Sequence, residues 1–218
     1  MSLFLGYIHH LMYEKILFQE ELLTSLLDLA DEDKKISLSK YLDKEFPIEK
    51  GDLKDIIDEG NIHGWLDERV RRSENRLAKT VGVLLKDFDI EDLKNKFYDF
   101  GKSYEAGDTP GEAFNFITSK FLDGMPCDHS LMIVKNDEDE FVFEVVSDLH
   151  RDIWANYVNP DLYWYLRDAF IGGSLENSGL KYEKINETYV IRKWINGYFK
   201  IYDWILGRWA RRNFSFLQ

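Results

Sequence analysis

The residues with the most chemical potential cluster around one cysteine. Cys127 lies in Pro126-Cys127-Asp128-His129, and His150 follows a stretch of β pattern. A thiol acts as a nucleophile only when a base holds it as thiolate and a third group orients that base. Cys127 with His129 or His150, and an acid such as Asp148, therefore contains the parts of a cysteine hydrolase. Against this, neighbours in an extended segment point to opposite sides, and a lone cysteine commonly serves as a small core hydrophobe. His9, His10, His63, His129 and His150 include no pair at the i, i+4 helical spacing that places two imidazoles on one ion, so no metal site is expected. Asp137-Glu138-Asp139-Glu140 matches a calcium loop only in charge, and a solvated turn accounts for it.

A second group suggests binding. Trp154, Tyr163 and Trp164 lie close in sequence to Arg151 and Arg167. Apolar walls with a few polar anchors are the usual make-up of a ligand pocket, and the two guanidinium groups suit an anionic group on the ligand. The same aromatics could equally be ordinary core. Gly172-Gly173 falls inside an expected helix, where each glycine costs about 1 kcal/mol relative to alanine. Either close packing of the helix on the sheet or the approach of a ligand to the bare backbone would offset that cost.

Composition removes several classes. One cysteine in 218 residues excludes an internal disulfide and any multi-cysteine metal or iron-sulfur site, which is the usage of a reducing compartment and makes the cytoplasm the expected location. The net charge of -12 opposes binding to phosphate backbones, so nucleic acid is not an expected partner. Charged residues interrupt the apolar start before it could span a bilayer, and it has no basic leader, so neither a membrane anchor nor a signal peptide is expected. At this length the chain can bury a core without staples.

The elements that must position these residues can be read from periodicity and caps. Leu3 to Ala30 carries a helical apolar stripe, ended by the charged run Asp31 to Lys35. Ser39 to Phe46 reads as a short helix stopped by Pro47, and another runs from Asp52 to Glu59. Asn61 caps a long helix to about Lys86, and Asp89 caps the next, which Gly107 closes. Thr109-Pro110-Gly111-Glu112 combines a cap, a proline at the first helical position and a glutamate that answers the cap, predicting a helix from Pro110 to about Asp123. The period then falls to two. Ser130 to Lys135 and Glu140 to Ser147 form one hairpin, and Leu180 to Ile185 and Thr188 to Trp194 a second. Between them a helix starts at Asn159-Pro160-Asp161 and runs to Asn177 or Ser178. The expectation is an α+β fold: a helical half over residues 1–88, an α+β domain over 89–194, and an aromatic, basic segment over 195–218 suited to homo-oligomer contact.

From Asp89 to Trp194 the order of features resembles the 4-vinyl reductase domain, a small-molecule-binding relative of the haem nitric-oxide-binding fold. The resemblance rests on a helix with a central glycine (Phe97 to Tyr104 around Gly101), a strand of the Phe141 to Ser147 type, a glycine-containing helix (Ala169 to Glu176) and a final hairpin (Leu180 to Trp194). The cysteines usual around that family's last helix are absent here, as is the Tyr-x-Ser-x-Arg motif of haem-binding relatives, so neither a metal nor haem is implied. The stretch is also similar to the L-2-amino-thiazoline-4-carboxylic acid hydrolase family through Phe143-Glu144-Val145. Three readings follow: a small-molecule-binding or sensing protein with an aromatic-lined pocket between helix and sheet, a hydrolase of a small amide or heterocycle, or an assembly protein using its C-terminal segment.

Overall fold

Caps and turn residues place most helix boundaries. The computed structural model describes residues 5–124, 128–185 and 188–194. Cys127 and the interface expected of 195–218 lie outside the described residues. Helix α1 (Tyr7–Leu27) follows the expected stripe. The charged run after it starts α2 (Glu32–Glu45) instead of separating two elements. Asp31 accepts the Lys34 N–H at 2.9 Å, and Glu32 and Asp33 occupy the first turn, where the helix dipole favours acids. Helix α2 gives way at Phe46, before Pro47.

Helix α3 (Leu53–Ile56) is a single turn capped by Asp52, shorter than expected. Asn61 caps α4 (Ile62–Leu84), and Asp89 caps α5 (Ile90–Lys102). Helix α5 ends at Ser103, so Gly107, at φ +95°, turns the connection that follows instead of closing the helix. Helix α6 (Pro110–Lys120) carries the full reciprocal box between Thr109 and Glu112.

The strands are β1 (Leu131–Asn136), β2 (Glu140–Val145), β3 (Leu180–Ile185) and β4 (Thr188–Lys193). The two hairpins join through β2 and β4 into one antiparallel sheet of order β1-β2-β4-β3. Between β2 and β3 lie α7 (Arg151–Trp154), a turn of helix the sequence pattern did not reveal, and α8 (Asp161–Ser174).

Register decides which sheet face meets the helices. Phe141 pairs with Ile191 and Phe143 with Tyr189, so all four point to one side. Phe114 of α6 stacks on Phe141 at 4.0 Å between centroids, and Trp164 of α8 meets Tyr189 at 6.2 Å. The main core runs from Phe18, Leu22 and Leu26 of α1 through α4 and α5 to this face. A smaller cluster joins Met12, Tyr13 and Ile16 of α1 to Trp65 and Leu66 of α4.

Helix α8 packs against α5 by backbone. A Cβ on Gly101 would lie 2.1 Å from the Phe170 carbonyl oxygen, and one on Gly173 would lie 2.0 Å from the Tyr98 carbonyl oxygen. Gly173 is therefore needed for helix-to-helix contact; the packing expected against the sheet is made against α5. Gly172 is less constrained, since a Cβ there would meet only the Tyr98 ring, at 3.6 Å.

Candidate functional site

Helix α8 divides the aromatic and basic residues singled out in the sequence between a buried ionic network and an open cleft. Its buried stripe, Tyr163, Trp164, Arg167, Phe170, Ile171 and Ser174, is apolar except where Arg167 and Ser174 interrupt it. The stripes of α1 and α4 are interrupted likewise, by Lys15 and Gln19 and by Ser73 and Glu74. Gln19 meets Ser73, and Arg167 and Glu74 are joined through Asp123 and His150, whereas Ser174 donates to the Ile171 carbonyl of its own helix.

Asp123, just past the end of α6, is the hub. Its Oδ2 accepts from Arg167 Nε at 3.1 Å and Nη2 at 2.5 Å, and its Oδ1 from Tyr163 Oη at 2.8 Å and His150 Nε2 at 3.3 Å. His150 Nδ1 donates to Glu74 Oε2 at 3.0 Å, and Trp154 Nε1 donates to the same oxygen at 3.0 Å. The His150 ring stacks on Tyr163 at 3.5 Å. Gln19 donates to Ser73 Oγ at 3.1 Å beside this network. Arg167 is fully buried, and its guanidinium lies 5.0 Å from the centroid of Phe121 and 5.2 Å from that of Trp164. Among the described residues its Nη1 has no hydrogen-bond partner, so the ring faces provide its electrostatic company.

The charges compensate one another. Burial alone would raise the Asp123 carboxyl, but Arg167 and His150 outweigh it and hold it well below the usual carboxylate range. Burial would likewise lower His150; the charge of Glu74, with hydrogen bonds to Asp123 and Glu74, raises it to about 9. His150 is thus an imidazolium with both N–H groups donated, and no lone pair is left to take a proton from a thiol. Lys15 is lowered mainly by burial, with Asp123 opposing and Arg167 adding to the effect.

The other side of α8 opens to a cleft of about 680 Å³. Val145, Trp164 and Tyr189 line its inner wall, Asp148, Arg151 and Asp161 one rim, and Asp168 and Lys184 the other end. Asp148 organises the first rim: it accepts from the backbone N–H groups of His150 and Arg151 at 3.1 and 3.2 Å and from Trp164 Nε1 at 3.1 Å. Arg151 donates to Asp161 at 2.8 Å and lies 3.4 Å from Asp148. Asp168 accepts from Tyr182 Oη at 2.7 Å, and burial raises its carboxyl above the usual value.

Of the residues proposed from sequence to bind a ligand, Arg151 and Trp164 line the cleft. Trp154, Tyr163 and Arg167 belong to the buried network, and Gly172 and Gly173 face α5 near Tyr98. Neither arginine is an open anchor for an anion, since Arg167 is committed to Asp123 and Arg151 to two carboxylates. His129 is exposed, at φ 48°. Sequence reading missed Glu74, Asp123, Asp168 and Lys184; polar residues on apolar stripes would have revealed Glu74, whereas Lys184 pairs with Tyr189 on the helix-facing side of the sheet, where a lysine at the end of the alternating strand β3 carried no signal. Among the described residues no helix is long and apolar enough to cross a membrane, and no cluster of three or more metal-binding side chains occurs. Compared with protein-family models, curated proteins and solved structures, the chain finds no match.

Proposed function

We propose that the protein is a small-molecule-binding or sensing protein of the cytoplasm, with its ligand seated in the cleft between α8 and the sheet. The observation that carries this reading is the cleft itself: about 680 Å³ of space, within the usual range for ligand pockets, with aromatic walls and polar groups at both ends. The succession of α5, hairpin, α8 and hairpin is also the one that the resemblance to the 4-vinyl reductase domain implies. The ligand is not a simple anion on this reading, because Arg151 is already neutralised and the wall carries three carboxylates against two basic groups. A neutral or amine-bearing aromatic molecule suits it better. A buried, rigid network behind Trp164 would hold that wall in place before the ligand arrives, reducing the ordering cost of binding.

The test is native mass spectrometry of freshly purified full-length protein, with Tyr165→Ala as the comparison, since Tyr165 lines the cleft and is 38% exposed, outside the buried network. A stoichiometric small molecule that is retained by the wild type and lost from the variant supports the cleft. A ligand retained equally by both places binding elsewhere and overturns it.

A further inference from the structure

We propose that His9 and His63 form an acid-opened clasp between the N-terminal ends of α1 and α4. His9 Nε2 and His63 Nε2 lie 3.4 Å apart, with ring planes 81° apart. The Gly6 N–H donates to His9 Nδ1 at 2.9 Å. That bond assigns the His9 tautomer: Nδ1 offers its lone pair, so the single proton of the neutral ring is on Nε2. It points at His63 Nε2, which must accept, leaving the His63 proton on Nδ1. Every ring nitrogen on the line from Gly6 to His63 is therefore committed. Neither ring can take a further proton without losing a bond, because the new proton arrives at a nitrogen that is accepting: Nδ1 of His9 or Nε2 of His63.

The setting opposes a charge as well. Both histidines lie in the first turns of their helices, where free N–H groups already carry partial positive charge. The first turns of α2, α3, α5, α6, α7 and α8 all contain an acid; those of α1 and α4 contain none. His9 is buried, and burial first, then His63 and His10, lowers its affinity for a proton. Asp52, at the start of α3, is held below the usual carboxylate value first by its hydrogen bonds with Lys54, and His10 adds the smallest contribution.

The clasp sits over the smaller core cluster, in which Met12 and Tyr13 meet Trp65 and Leu66. Opening would loosen that corner and leave the core around α8 closed. The sign follows from the lowered affinity of His9: its contribution is present above the ordinary histidine value of 6.5 and is lost as pH falls below it. Each unit of difference in pKa between the closed and open forms is worth about tenfold in the opening equilibrium.

Amide hydrogen exchange on the full chain tests the clasp. After correction for intrinsic rates, Leu11 to Ile16 and Leu66 to Val70 should exchange about tenfold faster near pH 5 than near pH 8, with Leu166 to Phe170 unchanged. His9→Asn keeps an acceptor for the Gly6 N–H but does not titrate, and should abolish the response. His63→Gln, at an exposed position, removes the ring whose protonation would oppose a proton on His9 and should move the midpoint upward. No acid response in the wild type overturns the clasp. So does a response that persists in His9→Asn or a midpoint unmoved in His63→Gln.

Discussion

The two sides of α8 use the same residue types to opposite ends. Behind the helix, Arg167, Asp123, His150 and Glu74 are buried, and each charge is held by a specific partner. In front of it, Arg151, Asp148 and Asp161 pair in partial contact with water, with Arg151 53% and Asp161 68% exposed in their side chains. A buried pair broken on one side strands a charge where water cannot reach it, whereas an exposed pair simply rehydrates. Sequence proximity therefore does not separate the residues that hold the wall from those that meet a ligand; burial does.

The difference can be broken from the buried side first. Asp123→Asn removes the counter-charge of Arg167 and His150 and should cost about 3–5 kcal/mol in urea unfolding; a loss below about 1 kcal/mol would mean that the network does not hold the helices together. The pH dependence probes the same network without a packing change. The His150 contribution is fully present below the unfolded value of 6.5 and is lost as pH rises through about 9. It should remove at most roughly 3 kcal/mol over that interval in the wild type, and a His150→Gln variant should lack that slope.

The glycines sharpen the comparison on a third side of the helix. Gly173→Ala drives a Cβ against the Tyr98 carbonyl and should cost about 1–3 kcal/mol or more. Gly172→Ala, with only a ring edge in ordinary contact, should be neutral or stabilising by up to about 1 kcal/mol. Thermal melts of the two single variants separate these outcomes. Arg151→Ala, at the cleft rim, should change stability by no more than about 1 kcal/mol, so any large effect it has on ligand retention would belong to the site.

Much of the fold is legible because its signals are local. The Thr109 to Glu112 box, the Asn61 and Asp89 caps and the switch to a period of two after Pro126 each depend on a few adjacent residues. Helix α2 was misread because Asp31 to Lys35 has the composition of a solvated break and the cap geometry of a helix start, and the cap prevails. Helix α7 is a single turn whose first N–H groups are held by Asp148, too short to leave a periodicity.

The site is less legible because its decisive contacts are distant in sequence. Nothing local links Trp154 to Glu74 or Arg167 to Asp123. What the sequence does carry is a set of polar residues on three apolar stripes, and such residues need one another once the stripes converge.

The reciprocal contact of Gly101 and Gly173 limits how the protein can recover from damage. At both positions the obstacle to a side chain is the main-chain carbonyl of the opposing helix, and main chain cannot be trimmed by mutation. A destabilised Gly173→Ala protein has no side-chain change at Tyr98 to rescue it, so a suppressor screen should return true reversions or stabilising changes elsewhere. The seam between α5 and α8 is thus a place where sequence drift can enter but cannot be locally repaired.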